Sequence, residues 1–338
     1  MSKFVYTKDE LEAESDYAAP HEECGLKLHG GLDADGNYIS PRTKHRWEAI
    51  NNWTAQLEAR GLDLVAADTS LLTEPNYPNV EQQIFLLKNG VGQPFWDSLT
   101  ITGLIEARGK ALAEFVAPDF QSIIVEDISG TALGHMNKGL MTSHGWDEGG
   151  KDGSGLGGHD IMWFAARDLI FGKDRFPLAS PPGSIGREKD SREMEQLPAE
   201  HEVIVSFLMN ILMIEVRAEK AFRFYEQVIG NAEIFTDRRP DAEKAVELVN
   251  RIRMDEAIHV GWLRAAVTEF RSFTIKTVSG EEVSGASILD PIWEKMVHWH
   301  SVEMHEANRE NNMRELENKI LAVPDGDNII EGFKVLAA

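Results

Sequence analysis

Apolar side chains recur every three or four positions through residues 200–273, the spacing that places them on one face of an α-helix. Phe207, Ile211, Ile214, Ala218, Phe222 and Tyr225 make one stripe, and Val249, Ile252, Leu263, Ala266 and Phe270 make the next. They predict two long helices, Glu200 to Gly230 and Asp241 to about Phe273, with Asp237 to Pro240 in the turn between them. Upstream, PFWDSLTITGLIEARGKALAEFV predicts a first long helix from Pro94, ended by Ala117-Pro118. Asp119 to about Thr142 reads as a second, against the cost of Gly130, Gly134 and Gly139, each up to about 1 kcal/mol relative to alanine. A glycine-rich loop over 149–158 leads into a short helix, HDIMWFAARDLIFG, and 176–198 reads as a long loop, a candidate lid or linker.

The flanks are less regular. Residues 1–92 read as an extension in which Gly30-Gly31 and Asp35-Gly36 signal a hairpin and HRWEAINNWTAQLEARG a short helix ending at Gly61. Residues 276–338 read as a small hairpin around Ser279-Gly280 and a final helix from Pro291 to Leu321. The expected architecture is mainly α, with a helical bundle over 93–275.

Two residues interrupt the second stripe. Glu256 and His259 fall in the series Val249, Ile252, Leu263, Ala266, so both point inward, one turn apart. A carboxylate aimed into a core is costly unless its charge is paired. On the preceding helix Glu215 lies beside the apolar face, and antiparallel packing would bring it to Glu256 and His259; Glu219, one turn on, is the substitute if the register slips. Such a trio can grip a cation, or form a buried polar network with Arg253 or Arg217 pairing the acids.

At these residues the sequence resembles the ferritin-like superfamily of di-iron carboxylate proteins, which build one site from a Glu on each of two helices and a Glu-x-x-His on each of two others. The resemblance covers roughly residues 94–273. Glu215 followed by DEAIH, residues 255–259, matches one Glu helix and one Glu-x-x-His helix, and DEAIH is also similar to the motif of the N-oxygenase branch that oxidises aryl amines. By the same resemblance Glu106 stands for the Glu of the first helix and His135 for the histidine of the second. The position three before His135 is Ala132, where the family has Glu, and the nearest upstream acids are Glu126 and Asp127. Glu126 could reach His135 only if the helix kinks at Gly130. Three readings stay open: one ion held by the second half alone, a ligand from elsewhere with His144 and His159 as candidates, or a fold without its metal. The resemblance implies a ferritin-like bundle and iron or manganese, one or two ions, held by Glu106, His135, Glu215, Glu256, His259 and Glu126.

Other donor patterns are weaker. His21-x-x-Cys24 with His29 lacks the second pair of a closed structural zinc site. The loop GGKDGSGLGGHD lacks the Gly-Lys-Ser/Thr ending of a phosphate loop. The run HWHSVEMHEANRENN reads as a solvated or partner-facing helix, and Trp96, Trp163 and Trp262 as pocket lining or core.

Charge and composition narrow the function. A formal charge of −22 repels phosphate backbones, so nucleic acid is not an expected partner. No run of about 18 apolar residues predicts a membrane span, and MSKFVYTKDELEAESD lacks the apolar core of a secretory signal. The single cysteine, Cys24, permits no internal disulfide, in keeping with a cytoplasmic setting. The expectation is a non-haem iron oxidoreductase acting with dioxygen on a small organic substrate, with a homodimer admissible. The alternatives are a non-catalytic helical protein with a protein partner and a divalent-metal hydrolase.

Overall fold

The computed structural model describes residues 2–188 and 191–336. The protein is mainly helical. The N-terminal segment holds helix α1 (Lys8–Leu11), strands β1 (Ala19–Glu23), β2 (Leu26–Leu32) and β3 (Tyr38–Ile39), and helices α2 (Thr43–Ala59) and α3 (Val80–Lys88). The strands form an antiparallel sheet in the order β1-β2-β3, and the expected Asp35-Gly36 turn joins β2 to β3. The central helices are α4 (Gln93–Gly109), α5 (Leu140–Gly149), α6 (His159–Phe171), α7 (Ala199–Gly230) and α8 (Arg239–Ser272). The chain continues through the hairpin β4 (Thr274–Lys276) and β5 (Glu282–Ser284) into α9 (Gly285–His298), α10 (Met304–Leu321) and α11 (Gly326–Val335). Among the described residues no helix is long and apolar enough to cross a membrane.

α7 and α8 form the spine. Ile211, Leu212 and Val216 from α7 are buried in one apolar cluster with Ile258, Leu263 and Ala266 from α8, and Phe222 and Tyr225 in a second with Val249 and Ile252. Each fully buried Val, Leu, Ile or Phe contributes about 1.5–3 kcal/mol relative to exposure. The extension is not a separate layer: Tyr6, Leu11, Ile50 and Trp53 belong to the same core as α8.

The helix expected over 119–142 does not form. Asp119 and Asp127 instead accept hydrogen bonds from the backbone N–H groups two residues on, at Gln121 and Ser129, which favours turns over helix. Ile124 bridges to Ile275 of β4, a 3-10 turn spans Leu133–Lys138, and regular helix begins only at Leu140. Glu269 of α8 secures this segment by accepting from the N–H groups of Ala132 and Leu133, each at 2.9 Å. Its carboxyl is pushed up to about 8 by burial, against the pull of those two bonds. Glu269→Ala strands both buried donors, and a loss of about 3 kcal/mol is expected in urea unfolding. A change below about 1 kcal/mol would show that the turn holds without the tether. The last helical region also starts earlier than expected, at Gly285, with Pro291 inside α9 and a π-helical turn over Trp299–Glu303 before α10.

A candidate metal centre between four helices

Four carboxylates meet in the interior: Glu106 from α4, Glu148 from α5, Glu215 from α7 and Glu256 from α8. All are less than a tenth exposed. Among the described residues their ion pairs are with histidines alone; no Lys or Arg reaches them. Arg253, a candidate partner on sequence grounds, binds Glu219 and Glu226 instead. Glu219 therefore has a surface role, and the α7–α8 register selects Glu215.

The donors fall into two groups that share one residue. His144, Glu148, Glu215 and His259 each offer an atom within 4.8 Å of the others, and Glu106, Glu148, His159 and Glu256 do the same. Glu148 belongs to both. His259 Nδ1 lies 2.6 Å from Glu256 Oε2, 3.2 Å from Glu148 Oε1 and 4.0 Å from Glu215 Oε1. His159 Nδ1 lies 3.1 Å from Glu256 Oε1 but out of line for a hydrogen bond, so it is a buried nitrogen with no hydrogen-bond partner, aimed at the cluster. A divalent cation suits such a donor set: hard carboxylate oxygens with borderline imidazole nitrogens and no thiolate.

Outer residues fix the two rings. His259 Nε2 lies 3.1 Å from Asp147 Oδ2, and Asp147 is itself held by Arg46 at 2.7 Å and by Arg42. His159 Nε2 lies 3.2 Å from Asp255 Oδ2, which also accepts from Tyr38 Oη at 2.9 Å. His29 Nε2 sits 3.1 Å from the same oxygen and joins His159 and Asp255 in a third, smaller donor group. A carboxylate behind each imidazole orients the ring and leaves its other nitrogen for the centre, as ligating histidines require.

His144 differs. Its Nδ1 accepts from the Trp262 indole N–H at 3.3 Å, which leaves the proton on Nε2, facing Glu215 at 3.1 Å and Glu148 at 3.3 Å. A ligand role through Nε2 would require that proton to move and the Trp262 bond to be given up. Burial, and then the charge of stacked His259, lowers His144 to about 4, so the ring is neutral.

The electrostatics follow from four acids in a buried site. Burial, then the charge of Glu148, raises Glu106 well above the carboxylate range; burial and the charge of Glu256 do the same to Glu215. Burial also opposes ionisation of Glu148 and Glu256. Hydrogen bonds from Glu106, His144 and His259 nevertheless hold Glu148 low, and the charges of His259 and His159 hold Glu256 low. Burial would discharge His159 and His259, but Glu256 first, with Asp255 and Asp147 behind, raises both. In the metal-free protein these effects favour protons on Glu106, Glu215, His159 and His259.

Local sequence explains how these residues meet. α5 runs against the end of α4 because Gly145 and Gly109 carry no Cβ: one at Gly145 would lie 2.4 Å from the Ala113 nitrogen, and one at Gly109 2.6 Å from Glu148 Cγ. His159 opens α6 where the glycine-rich loop is pinned to β2, the Gly157 N–H donating to the Lys27 carbonyl and the His29 N–H to the Gly157 carbonyl, each at 2.9 Å.

Of the residues expected from sequence, Glu106, Glu215, Glu256 and His259 come together, joined by the candidates His144 and His159. His135 and Glu126 do not. His135 accepts the Tyr6 N–H at Nε2, 2.9 Å, and its Nδ1 lies 2.6 Å from the Thr131 carbonyl, so both nitrogens are occupied. Glu126 caps β4 by accepting the Thr274 N–H and hydroxyl. Their assignment assumed a helix over 119–142, and the turns that replace it point both elsewhere. Glu148 was missed; its signal was the His144-x-x-x-Glu148 spacing, which shares a helix face. Exposed Cys24 joins no donor group, and Trp96, Trp163 and Trp262 fill core.

The centre opens on one side to a cavity of about 800 Å³. Glu106, His144, Glu148 and Glu215 form part of its wall, and Ile105, Phe115, Phe207, Ile211 and Phe222 line much of the rest. No protein-family model, curated protein or solved structure matches the chain.

Proposed function

We propose that the cluster is a paired-metal centre of ferritin-like type, holding two iron or manganese ions, and that the protein is an oxidoreductase that uses dioxygen to oxidise a small organic substrate. The observation that carries this reading is the pair of four-donor groups sharing Glu148. One position would be held by Glu106, His159 and Glu256, the other by Glu215 and His259 with His144 beside it, and Glu148 would bridge them. Two divalent ions would match the charge of the four carboxylates Glu106, Glu148, Glu215 and Glu256, which supports a count of two. The α4, α7 and α8 contributions follow the ferritin-like pattern of Glu, Glu and Glu-x-x-His; α5 carries His-x-x-x-Glu where that pattern has a second Glu-x-x-His, and α6 adds His159.

Iron bound here would supply the reducing electrons for dioxygen and the oxidising capacity for the substrate. The chain's part is to hold the carboxylates and imidazoles in place and to present an open side toward the cavity. The apolar part of the lining, Ile105, Phe115, Phe207, Ile211 and Phe222, suits the carbon skeleton of an organic substrate, which is why oxidation is preferred to hydrolysis.

Loading with ferrous iron under anaerobic conditions, followed by elemental analysis and addition of oxygen, tests the reading. About two irons per chain and oxygen uptake that disappears in Glu256→Ala are expected. No bound iron, or equal uptake in the variant, would overturn it.

A further inference from the structure

The cavity lining also carries the opposite charge. Arg108, Arg187, Arg217 and Lys220 all line it, in a protein whose formal charge is −22. Arg187 is paired with Glu193, whereas Arg108 and Lys220 donate to backbone carbonyls, those of Pro182 at 2.6 Å and of Glu74. Arg217 is partly buried where Arg108 is exposed, and like Arg108 and Lys220 it has no acidic partner among the described residues. Its Nη1 donates to the Ile185 carbonyl at 2.9 Å and lies 3.2 Å from His300 Nδ1. Burial, followed by the Arg217 charge itself, lowers His300 to about 3, so that neighbour is neutral. Burying a cation without an anion is costly, and a planar guanidinium facing a cavity matches a carboxylate through two parallel hydrogen bonds.

We propose that the cavity binds an amphipathic carboxylate, with its anionic head on Arg217 beneath the 183–187 loop and its apolar body against Phe115, Phe207 and Phe222, extending toward the metal-facing carboxylates. The volume suits a molecule of that kind, since small-molecule pockets span about 300–1,000 Å³. Being oxidised at the body rather than the head depends on the function proposed above; binding does not. The head is anchored at a permanent cation, which leaves the uncharged part to face the centre.

The test uses the metal-free full-length chain, so that a carboxylate cannot bind through iron. Octanoate and octanamide, which share a chain and differ in charge, are titrated calorimetrically. Wild type is expected to bind octanoate at least about tenfold more tightly than octanamide, the scale of one charge-assisted contact. Arg217→Gln should abolish that preference with octanamide affinity unchanged, Arg217→Lys should keep part of it, and Arg108→Gln all of it. Equal binding of the two probes by wild type, or a preference that survives Arg217→Gln, would overturn the proposal. The octanoate preference in a protein that takes up no iron would refute the metal reading alone; iron uptake without the preference would refute this one alone.

Discussion

Glu148→Gln is expected to reduce iron content from about two per chain to less than about one half, while far-UV circular dichroism stays as in wild type. Gln keeps the volume that packs over Gly109 and removes the anion that both donor groups share. Losing any other carboxylate leaves one group whole; losing this one takes a ligand from both. Removal of this anion also leaves three carboxylates instead of four to offset the charge of two dications. Glu126→Gln, by contrast, should leave metal content unchanged, because Glu126 spends its oxygens on Thr274. Two irons per chain in Glu148→Gln would remove the bridge from the scheme, and an equal loss in Glu126→Gln would mean that the effect is not local.

Metal uptake is expected to depend steeply on pH, weakening as the medium becomes acidic. Glu106, Glu215, His159 and His259 have raised proton affinities in the metal-free fold, and each must lose its proton before it can donate to a cation. Two ions therefore displace about four protons, and the apparent affinity per ion rises up to about a hundredfold per pH unit while those groups remain protonated. Titrations in two buffers of different ionisation enthalpy count the protons directly. Release of less than about one proton per ion would contradict the assigned charge state. The sign for stability is the reverse. A group whose folded proton affinity is raised stabilises the metal-free protein fully below its unfolded value and loses that contribution as pH climbs through the folded one. Asp147 and Asp255, held low by Arg42 and Arg46 and by His159 and His29, oppose this at the acid end. Metal-free protein is thus expected to be most stable in mild acid, where metal is held least well.

The two long helices and the Glu215, Glu256 and His259 ligands were legible in the sequence because α7 and α8 bury one face each. A charged residue inside a regular apolar stripe stands out, and the period that predicts the helix also gives the direction of its side chains. Glu106 was readable on the same ground. The sequence by itself therefore determined the helical spine, the turn between its halves and four of the seven donors.

Only the tertiary structure decided the rest. Between 119 and 142 the apolar positions suggest a helix, but Asp-stabilised turns and the tether from Glu269, which lies more than a hundred residues away, select another path. That choice removes His135 and Glu126 from the centre. Glu148 and His159 enter it through close backbone approach at Gly109 and Gly145 and through the pinning of a glycine-rich loop to β2, neither of which leaves a periodic trace. The outer carboxylates Asp147 and Asp255 lie next to ligands in the chain, yet their partners Arg42, Arg46 and Tyr38 come from the N-terminal extension. Local sequence specifies which way a helical side chain points; what it meets there is set by the packing of distant segments, and a metal centre is made of those meetings.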